Sequence, residues 1–130
     1  MADGPYLAFE VYRWAGTTYE EFRTHYKDVH AQIGKKIPGL VWYETFMNNN
    51  AQEGWPVIGG APKPDALVVM QFDSEESKQN IGNSPAWLEA AEDDIGFCSH
   101  FEIFDVERFT WIPEASPREP HREEAAVGVE

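Results

Sequence analysis

Two hydrophobic periods follow one another in the first forty residues, and their succession restricts the folds that the chain can adopt. Apolar residues alternate over residues 6–14, which is typical of a strand. Further along, apolar residues recur every three or four positions, which predicts an amphipathic helix capped by Thr17 or Thr18. The helix must end near Pro38, because the residue before a proline disfavours helical geometry. The chain therefore opens with a strand and a helix of about five turns.

The rest of the sequence continues this pattern. Residues 40–47, 65–72 and 101–109 are rich in aliphatic and aromatic residues and predict three more strands. An acidic helical region precedes the last strand, and Ser84-Pro85 predicts a break in it, with a new cap. We place Trp87, Leu88, Ala91 and Ile95 toward the core and Glu89, Glu92, Asp93 and Asp94 mostly outward. The order predicts a ferredoxin-like α+β fold, a four-stranded antiparallel sheet with both helices on one face.

The length of 130 residues fits a single domain, which we place at residues 1–112. Residues 48–64 are dense in Gly, Pro and Asn and too long for a hairpin turn. They predict either a functional loop, in which Trp55 helps to cover a site, or a solvated excursion. Residues 113–130 are acidic and proline-rich, and they predict a C-terminal tail.

The charge of the chain excludes some classes of partner. Its 23 acidic and 10 basic residues give a net charge of -13, which repels nucleic acids and anionic membranes. The only cysteine is Cys98, so no internal disulfide can form, and the apolar stretch at residues 6–14 is too short to span a membrane. We therefore predict a cytoplasmic protein that binds a small molecule.

The four predicted strands carry apolar residues at both odd and even positions. An antiparallel sheet with one buried face alternates more cleanly than this. We therefore predict that a second copy of the chain covers the face that the helices leave open. The resulting homodimer would enclose a cavity between two sheets.

His30 lies on the apolar side of the first helix, beside Tyr26 and Ile33. A half-buried imidazole can transfer protons near neutral pH, or it can be a hydrogen-bonded core residue. His25 lies about 140 degrees away around a regular helix, so we predict no metal shared by the two histidines. Because motifs for nucleotides, zinc proteases and serine hydrolases are absent, we expect a site without metal or cofactor.

Glu10 interrupts the first apolar strand, on the same face as Tyr12. If this face lines the cavity, loss of solvent makes Glu10 a candidate acid or base. Otherwise Glu10 is an exposed carboxylate, or it pairs with Arg13 or Arg108.

Residues 22–43 read FRTHYKDVHAQIGKKIPGLVWY, and they resemble the signature of the EthD family of dimeric α+β barrel proteins. The resemblance extends to residues 65–73, to Ser84-Pro85 and to the last strand, so that it covers residues 6–110 apart from the long loop. It implies the same ferredoxin-like fold. The family includes methylmuconolactone methylisomerase and decarboxylases of aromatic polyketides, and similar barrels include cofactor-free monooxygenases and cyclases.

The resemblance also implies roles for individual residues. In the methylisomerase, the histidine and tyrosine that match His30 and Tyr43 face the active site. That enzyme also uses a cysteine in the third strand, where this chain has Met70, and a histidine in the preceding loop, which residues 44–65 lack. The resemblance therefore does not point to methylmuconolactone as the substrate.

Together, these features predict a small cofactor-independent enzyme, a lyase or isomerase of the decarboxylase, cyclase or dehydratase type. Its substrate would be a phenolic, lactone or polyketide-like compound. His30 would transfer the proton and Tyr43 would bind a substrate oxygen. The other residues expected at the substrate are Glu10, Tyr12, Trp55 and Met70. Two alternatives remain open: a cofactor-free monooxygenase acting on a phenolic substrate, and a non-catalytic small-molecule binding or stress-response protein.

Overall fold

The computed structural model describes residues 4–49 and 63–113. It contains one antiparallel sheet of four strands: β1 (Tyr6–Arg13), β2 (Leu40–Met47), β3 (Ala66–Phe72) and β4 (Cys98–Val106). The strand order is β2-β3-β1-β4, so β1 pairs with both β3 and β4. This topology confirms the predicted ferredoxin-like fold. Most of the expected loop, including Trp55, and nearly all of the expected tail lie outside the described residues.

The helical layer is built from short pieces: α1 (Tyr19–His25), a π-helical turn (Tyr26–His30), α2 (Ala31–Gly34), α3 (Glu75–Gln79), a 3-10 turn (Ile81–Asn83) and α4 (Pro85–Phe97). The first three follow one another without a break. Thr18 caps α1, since its hydroxyl accepts from the Glu21 N–H while the Glu21 carboxylate accepts from the Thr18 N–H. None of the helices in the described ranges is long and apolar enough to cross a membrane.

The turn between α2 and β2 depends on Gly39. Its φ of +81° lies in the left-handed region, and an added Cβ would come within 2.5 Å of the Ser77 side chain. The Gly39 carbonyl accepts a hydrogen bond of 2.8 Å from the Asp73 N–H, just after β3. The turn therefore fixes the start of β2 against the start of the second helical region.

One face of the sheet, the helix-covered face, packs against the helices. Phe22 of α1 and Phe72 of β3 are almost fully buried between the two layers, at 0% and 1% exposure. The same core includes Phe9, Val11, Val68, Met70 and Phe97. At the end of β1, a buried ion pair of 3.0 Å joins Arg13 to Asp65.

The opposite face, the open face, carries Ala8, Glu10 and Tyr12 of β1. Leu67, Glu102 and Phe104 lie beside them on β3 and β4, and Phe46 of β2 lies beside Leu67. Phe46, Leu67 and Phe104 are exposed by 52%, 46% and 42%. Large apolar side chains thus remain half exposed on this face, consistent with the mixed pattern of the strands.

The rotation of α4 differs from the sequence prediction. Leu88 and Ile95, expected in the core, are 56% and 73% exposed, whereas Ala90 and Phe97 are buried. Adjacent pairs of similar residues, such as Trp87 and Leu88, allow two rotations of the helix that differ by about 100 degrees. Packing against the sheet selects the rotation that turns Trp87, Ala90, Asp94 and Phe97 inward.

Candidate functional site

A narrow cavity lies between the sheet and the helices. Its volume of about 50 Å³ holds a few water molecules. Most of its wall is apolar and comes from β1, β3, β4 and α4, through Phe9, Val11, Val68, Met70, Trp87 and Phe101. Four side chains with polar ends complete the wall: Tyr26, His30, Tyr43 and Asp94. An apolar pocket with a few convergent polar groups is typical of small-molecule sites.

The structure brings together three of the predicted site residues. His30, Tyr43 and Met70 all line this cavity. Glu10 and Tyr12 lie on the open face, where the Tyr12 hydroxyl donates to the Glu10 carboxylate over 3.3 Å. Successive residues of a strand point to opposite faces, and in β1 it is Phe9 and Val11 that face the helices. This corrects the expected arrangement, in which Glu10 and Tyr12 share a cavity with His30 between two sheets.

Carboxylates of α4 contact both ring nitrogens of His30. Nδ1 lies 2.9 Å from Asp93 Oδ2, and Nε2 lies 3.3 Å from Asp94 Oδ1. The side chain of His30 is 13% exposed, so these contacts are shielded from solvent. The two aspartates were predicted to point outward, and the rotation of α4 turns them toward His30. The histidine therefore has an acidic partner on each side.

His25 also reaches Asp93, although a regular helix would place the two histidines about 140 degrees apart. Its Nε2 lies 2.9 Å from both Asp93 oxygens. The chain forms a π-helical turn from Tyr26 to His30. In this turn the Ala31 N–H donates to the Tyr26 carbonyl, an i→i+5 bond. The additional residue in this turn brings His25 and His30 to the same side of the helix. The described part of the chain contains no group of three or more His, Cys, Asp or Glu arranged to hold a metal ion.

Asp94 is the carboxylate that faces the cavity. Burial raises the pKa of Asp94, and the nearby His30 opposes this increase. The Cys98 thiol donates to Asp94 Oδ1 over 3.7 Å. Burial, and then the Asp94 charge, raise the pKa of Cys98 well above its usual value, so the thiol stays protonated and is a poor nucleophile.

Three hydroxyl groups form a chain beside the cavity. Thr45 donates to the Tyr26 oxygen over 3.0 Å, and the Tyr26 and Tyr43 oxygens are 2.9 Å apart. Burial raises the pKa of Tyr26 and of Tyr43, so both phenols keep their hydrogens at neutral pH. A Cβ on Gly34 would lie only 3.0 Å from the Tyr43 ring, so the glycine leaves space for this tyrosine.

The cavity is thus lined by an acid–base pair, His30 and Asp94, and by a phenolic donor, Tyr43. An imidazole beside a buried carboxyl can act as a general acid or base. A fixed phenol in apolar surroundings can stabilise negative charge on an oxygen. The arrangement is suited to proton transfer at a compound that carries a carbonyl or phenolic oxygen.

Proteins of known structure share this fold. Among curated proteins, by contrast, no match was found. A solved EthD family protein from Bacillus halodurans is 20% identical, with a TM-score of 0.60 over 79% of this chain and 99% of that one. SnoaB, a cofactor-independent oxygenase from Streptomyces nogalater, is 14% identical, with a TM-score of 0.58 over 87% of this chain and 100% of its own.

A dimeric protein of unknown function and ferredoxin-like fold from Bacteroides fragilis is 12% identical, with a TM-score of 0.57 over 79% of this chain and 94% of that one. The EthD domain family matches residues 15–100, which is more than half of the chain. This range contains the signature at residues 22–43 and the four cavity residues with polar ends, Tyr26, His30, Tyr43 and Asp94. The chain therefore belongs to the EthD domain family.

Proposed function

We propose that this protein is a small enzyme that transfers protons on a phenolic, lactone or polyketide-like compound, in a lyase or isomerase reaction that needs no cofactor. One observation carries the proposal: the His30–Asp94 pair and the Tyr43 hydroxyl meet in a cavity that is otherwise apolar. An apolar wall strengthens the electrostatic effect of the few polar groups inside it.

The His30–Asp94 pair acts as the acid and base. His30 Nε2 and Asp94 Oδ1 are 3.3 Å apart and can share one proton, either as imidazolium and carboxylate or as imidazole and carboxylic acid. Burial raises the pKa of Asp94, which favours the protonated form of its carboxyl group. The pair can therefore remove a proton from one atom of a substrate and return it to another.

Tyr43 binds the substrate oxygen on which charge develops. Thr45 donates to Tyr26, and when Tyr26 in turn donates to Tyr43, the Tyr43 hydrogen is left for a group in the cavity. An enolate or phenolate oxygen placed there accepts this hydrogen bond. The negative charge formed by proton removal is thereby stabilised.

The size of the cavity limits what enters it. Its volume of about 50 Å³ is well below the roughly 300–1,000 Å³ of pockets that enclose drug-sized ligands. A ring-shaped substrate therefore enters with movement of the wall, and the unbranched Met70 side chain is suited to give way. We expect a compact substrate, or a larger one of which only the reacting part is enclosed.

Deuterium exchange tests the proposal without knowledge of the natural substrate. The protein is incubated in D₂O with α-angelica lactone or ortho-acetylphenol, and NMR follows deuterium uptake at the carbon beside the carbonyl. We expect the protein to accelerate uptake, and His30→Gln to lose about 100-fold or more of that acceleration. His100→Gln is the matched control, since His100 is exposed and pairs with Glu102 on the open face. Equal rates for the wild type and His30→Gln would refute the role of His30.

A cofactor-free monooxygenase is the second candidate, and the likeness to SnoaB favours it. Removal of a phenolic proton by His30 would be the first step of that reaction too. Oxygen uptake distinguishes the two functions, because a lyase or isomerase turns over equally well in anaerobic solution. Binding of a probe with neither exchange nor oxygen uptake would favour the non-catalytic alternative.

We also propose that two copies of the chain pair through their open faces. The half-exposed side chains of Phe46, Leu67 and Phe104 support this pairing, as does the dimeric state of the Bacteroides fragilis protein. Leu67→Asp places a charge on the middle of this face, and we expect sedimentation to show a monomer. Leu88→Asp, on the exposed side of α4, should remain dimeric. A wild-type protein that sediments as a monomer at micromolar concentration would contradict the proposal.

A further inference from the structure

His25, Asp93 and His30 form a continuous row of hydrogen-bonding groups. His30 Nδ1 lies 2.9 Å from Asp93 Oδ2, and His25 Nε2 lies 2.9 Å from both oxygens of the same carboxylate. Of the three residues in this row, the site described above uses only His30, together with its cavity-facing partner Asp94. Asp93 and His25 extend the row away from the cavity.

The two ends of the row open to different surroundings. His30 lines the cavity and its side chain is 13% exposed. The His25 side chain is 34% exposed and lines a depression of the outer surface. The other residues of this depression include three carboxylates, Glu20, Glu21 and Asp28. The row thus begins inside the protein and ends at an acidic depression that is open to solvent.

Aromatic rings pack against both imidazoles of the row. The Phe97 ring centroid lies 4.7 Å from the His25 ring and 4.9 Å from the His30 ring, and Phe97 is 4% exposed. The Tyr26 ring packs against His30 at 5.3 Å. The rings of Phe97 and Tyr26 take up the space beside the imidazoles that water would otherwise fill. Protons are therefore expected to move through the row itself.

We propose that His25, Asp93 and His30 are a proton relay that connects the cavity with solvent at the carboxylate-lined depression. The relay deepens the proposed function, on which it rests, because it lets the proton removed from the substrate leave to solvent and a different proton return from solvent. Asp93 and His25 are relay residues in this scheme, and only His30 meets the substrate.

Each step of the relay moves one proton. A proton taken from the substrate bonds to His30 Nε2, and the Nδ1 proton of the resulting imidazolium passes to Asp93. His25, in the tautomer with its hydrogen on Nδ1, accepts the Asp93 proton at Nε2 and releases its Nδ1 hydrogen to water. The same steps in reverse start with a proton that enters at His25 Nδ1 and end with transfer of the His30 Nε2 proton to the substrate, which returns both imidazoles to their starting tautomers.

Acidic groups lie at both ends of the row. At the outer end, Glu20, Glu21 and Asp28 attract protons to the depression. At the inner end, Asp94 contacts His30 Nε2, and Cys98 donates to Asp94. A proton that leaves the His30–Asp94 pair therefore has a path through Nδ1 that the cavity does not provide.

NMR of the full-length protein with isotope-labelled histidine tests the relay in the absence of any substrate. The measured quantity is the rate at which the His30 imidazole hydrogens exchange with water. We expect His25→Gln and Asp93→Asn each to slow this exchange by about tenfold or more. The double variant should be no slower than the slower single variant, because both changes interrupt one path. His100→Gln, a histidine change on the open face, should leave the rate unaltered.

Chemical rescue provides a second measurement. Imidazole in the buffer should restore fast exchange to His25→Ala, in which the outer end of the row is vacant, and not to Asp93→Asn, in which the middle is blocked. Unchanged exchange in both His25→Gln and Asp93→Asn would overturn the relay and leave Asp93 as a bridge between helices. Because no substrate is present, the result is independent of the probe conversion that tests the proposed function.

Discussion

Similar polar groups lie on the two sides of the sheet in contrasting surroundings. On the helix-covered face, Asp94 and Tyr43 line an apolar cavity, and burial raises the pKa of each. On the open face, Glu10 and Tyr12 form a hydrogen bond with each other, beside a row of half-exposed side chains. A carboxylate and a phenol are present in both places. The first pair lines an enclosed space and its carboxylate lies 3.3 Å from the Nε2 atom of His30, whereas the second pair lies on an open surface, so the surroundings distinguish a reactive site from a surface.

The carboxylates of the two faces should differ most in their effect on proton transfer. Asp94→Asn removes the proton partner of His30 Nε2, and we expect deuterium uptake by the probes to fall by about 100- to 10,000-fold. Glu10→Gln, on the other face, should leave the rate unchanged. Comparable losses in both variants would break the comparison and place the site at the open face.

Two phenylalanines test the same contrast in stability. Phe72 is 1% exposed on the helix-covered face, and Phe72→Ala should lower the free energy of unfolding by about 3–5 kcal/mol. Phe104 is 42% exposed on the open face, and Phe104→Ala should matter only through dimerisation. Thermal unfolding at several protein concentrations checks this. A concentration-independent loss of similar size at Phe104 would show that the open face is covered within one chain.

The phenols of the two faces sharpen the comparison at the level of one hydroxyl group. Tyr43→Phe removes the donor to the substrate oxygen, and loss of such a donor costs about 100-fold in rate. Tyr12→Phe removes a hydroxyl that is bonded to Glu10 outside the cavity, so no change is expected. The probe exchange assay measures both. No second substitution on the open face is expected to restore the exchange rate of Tyr43→Phe.

The pH dependence of stability gives the smallest effect. Burial raises the pKa of Asp94, so the folded protein binds this proton more tightly than the unfolded chain does. Asp94 therefore lowers stability at neutral pH, and this loss is recovered as the pH falls through the folded-state pKa toward the usual value for aspartate. Denaturant unfolding measures the free energy of unfolding of the wild type and of Asp94→Asn at pH values between the usual pKa of aspartate and the folded-state pKa of Asp94. The gain in stability as the pH falls through this range should be present in the wild type and absent from Asp94→Asn. A parallel pH profile for Asp94→Asn would contradict the assignment.

Most of the fold was predictable because its signals are local. Alternating apolar residues define β1, the Thr18 and Glu21 pair begins α1, and Ser84-Pro85 restarts the second helix where the structure places it. The turn at Gly39 requires a positive φ that glycine adopts without strain. Each of these features depends on residues within a few positions of one another, so one sequence contains the required information.

The candidate site was predictable only in part. His30 follows from its position on the apolar side of a helix, and its match to the family signature added Tyr43. Asp93 and Asp94 were assigned outward, because adjacent apolar pairs in α4 leave the rotation of that helix open. The available signal was their spacing. Asp93 and Asp94 lie three or four positions from Ala90 and from Phe97, which places them on the inward side of the helix. Glu10 and Tyr12 were grouped with His30 because both sides of β1 carry apolar residues.

The amino-acid sequence by itself determined the order of strands and helices, their caps and turns, and the inward position of His30, since these follow from periodicity and local backbone preference. Tertiary structure alone decided which carboxylates reach that histidine. The rotation of α4 depends on its packing against the sheet, and the π-helical turn that aligns His25 with His30 has no local sequence signature. Contacts between residues that lie more than sixty positions apart, such as His30 and Asp93, exist only once both layers are assembled.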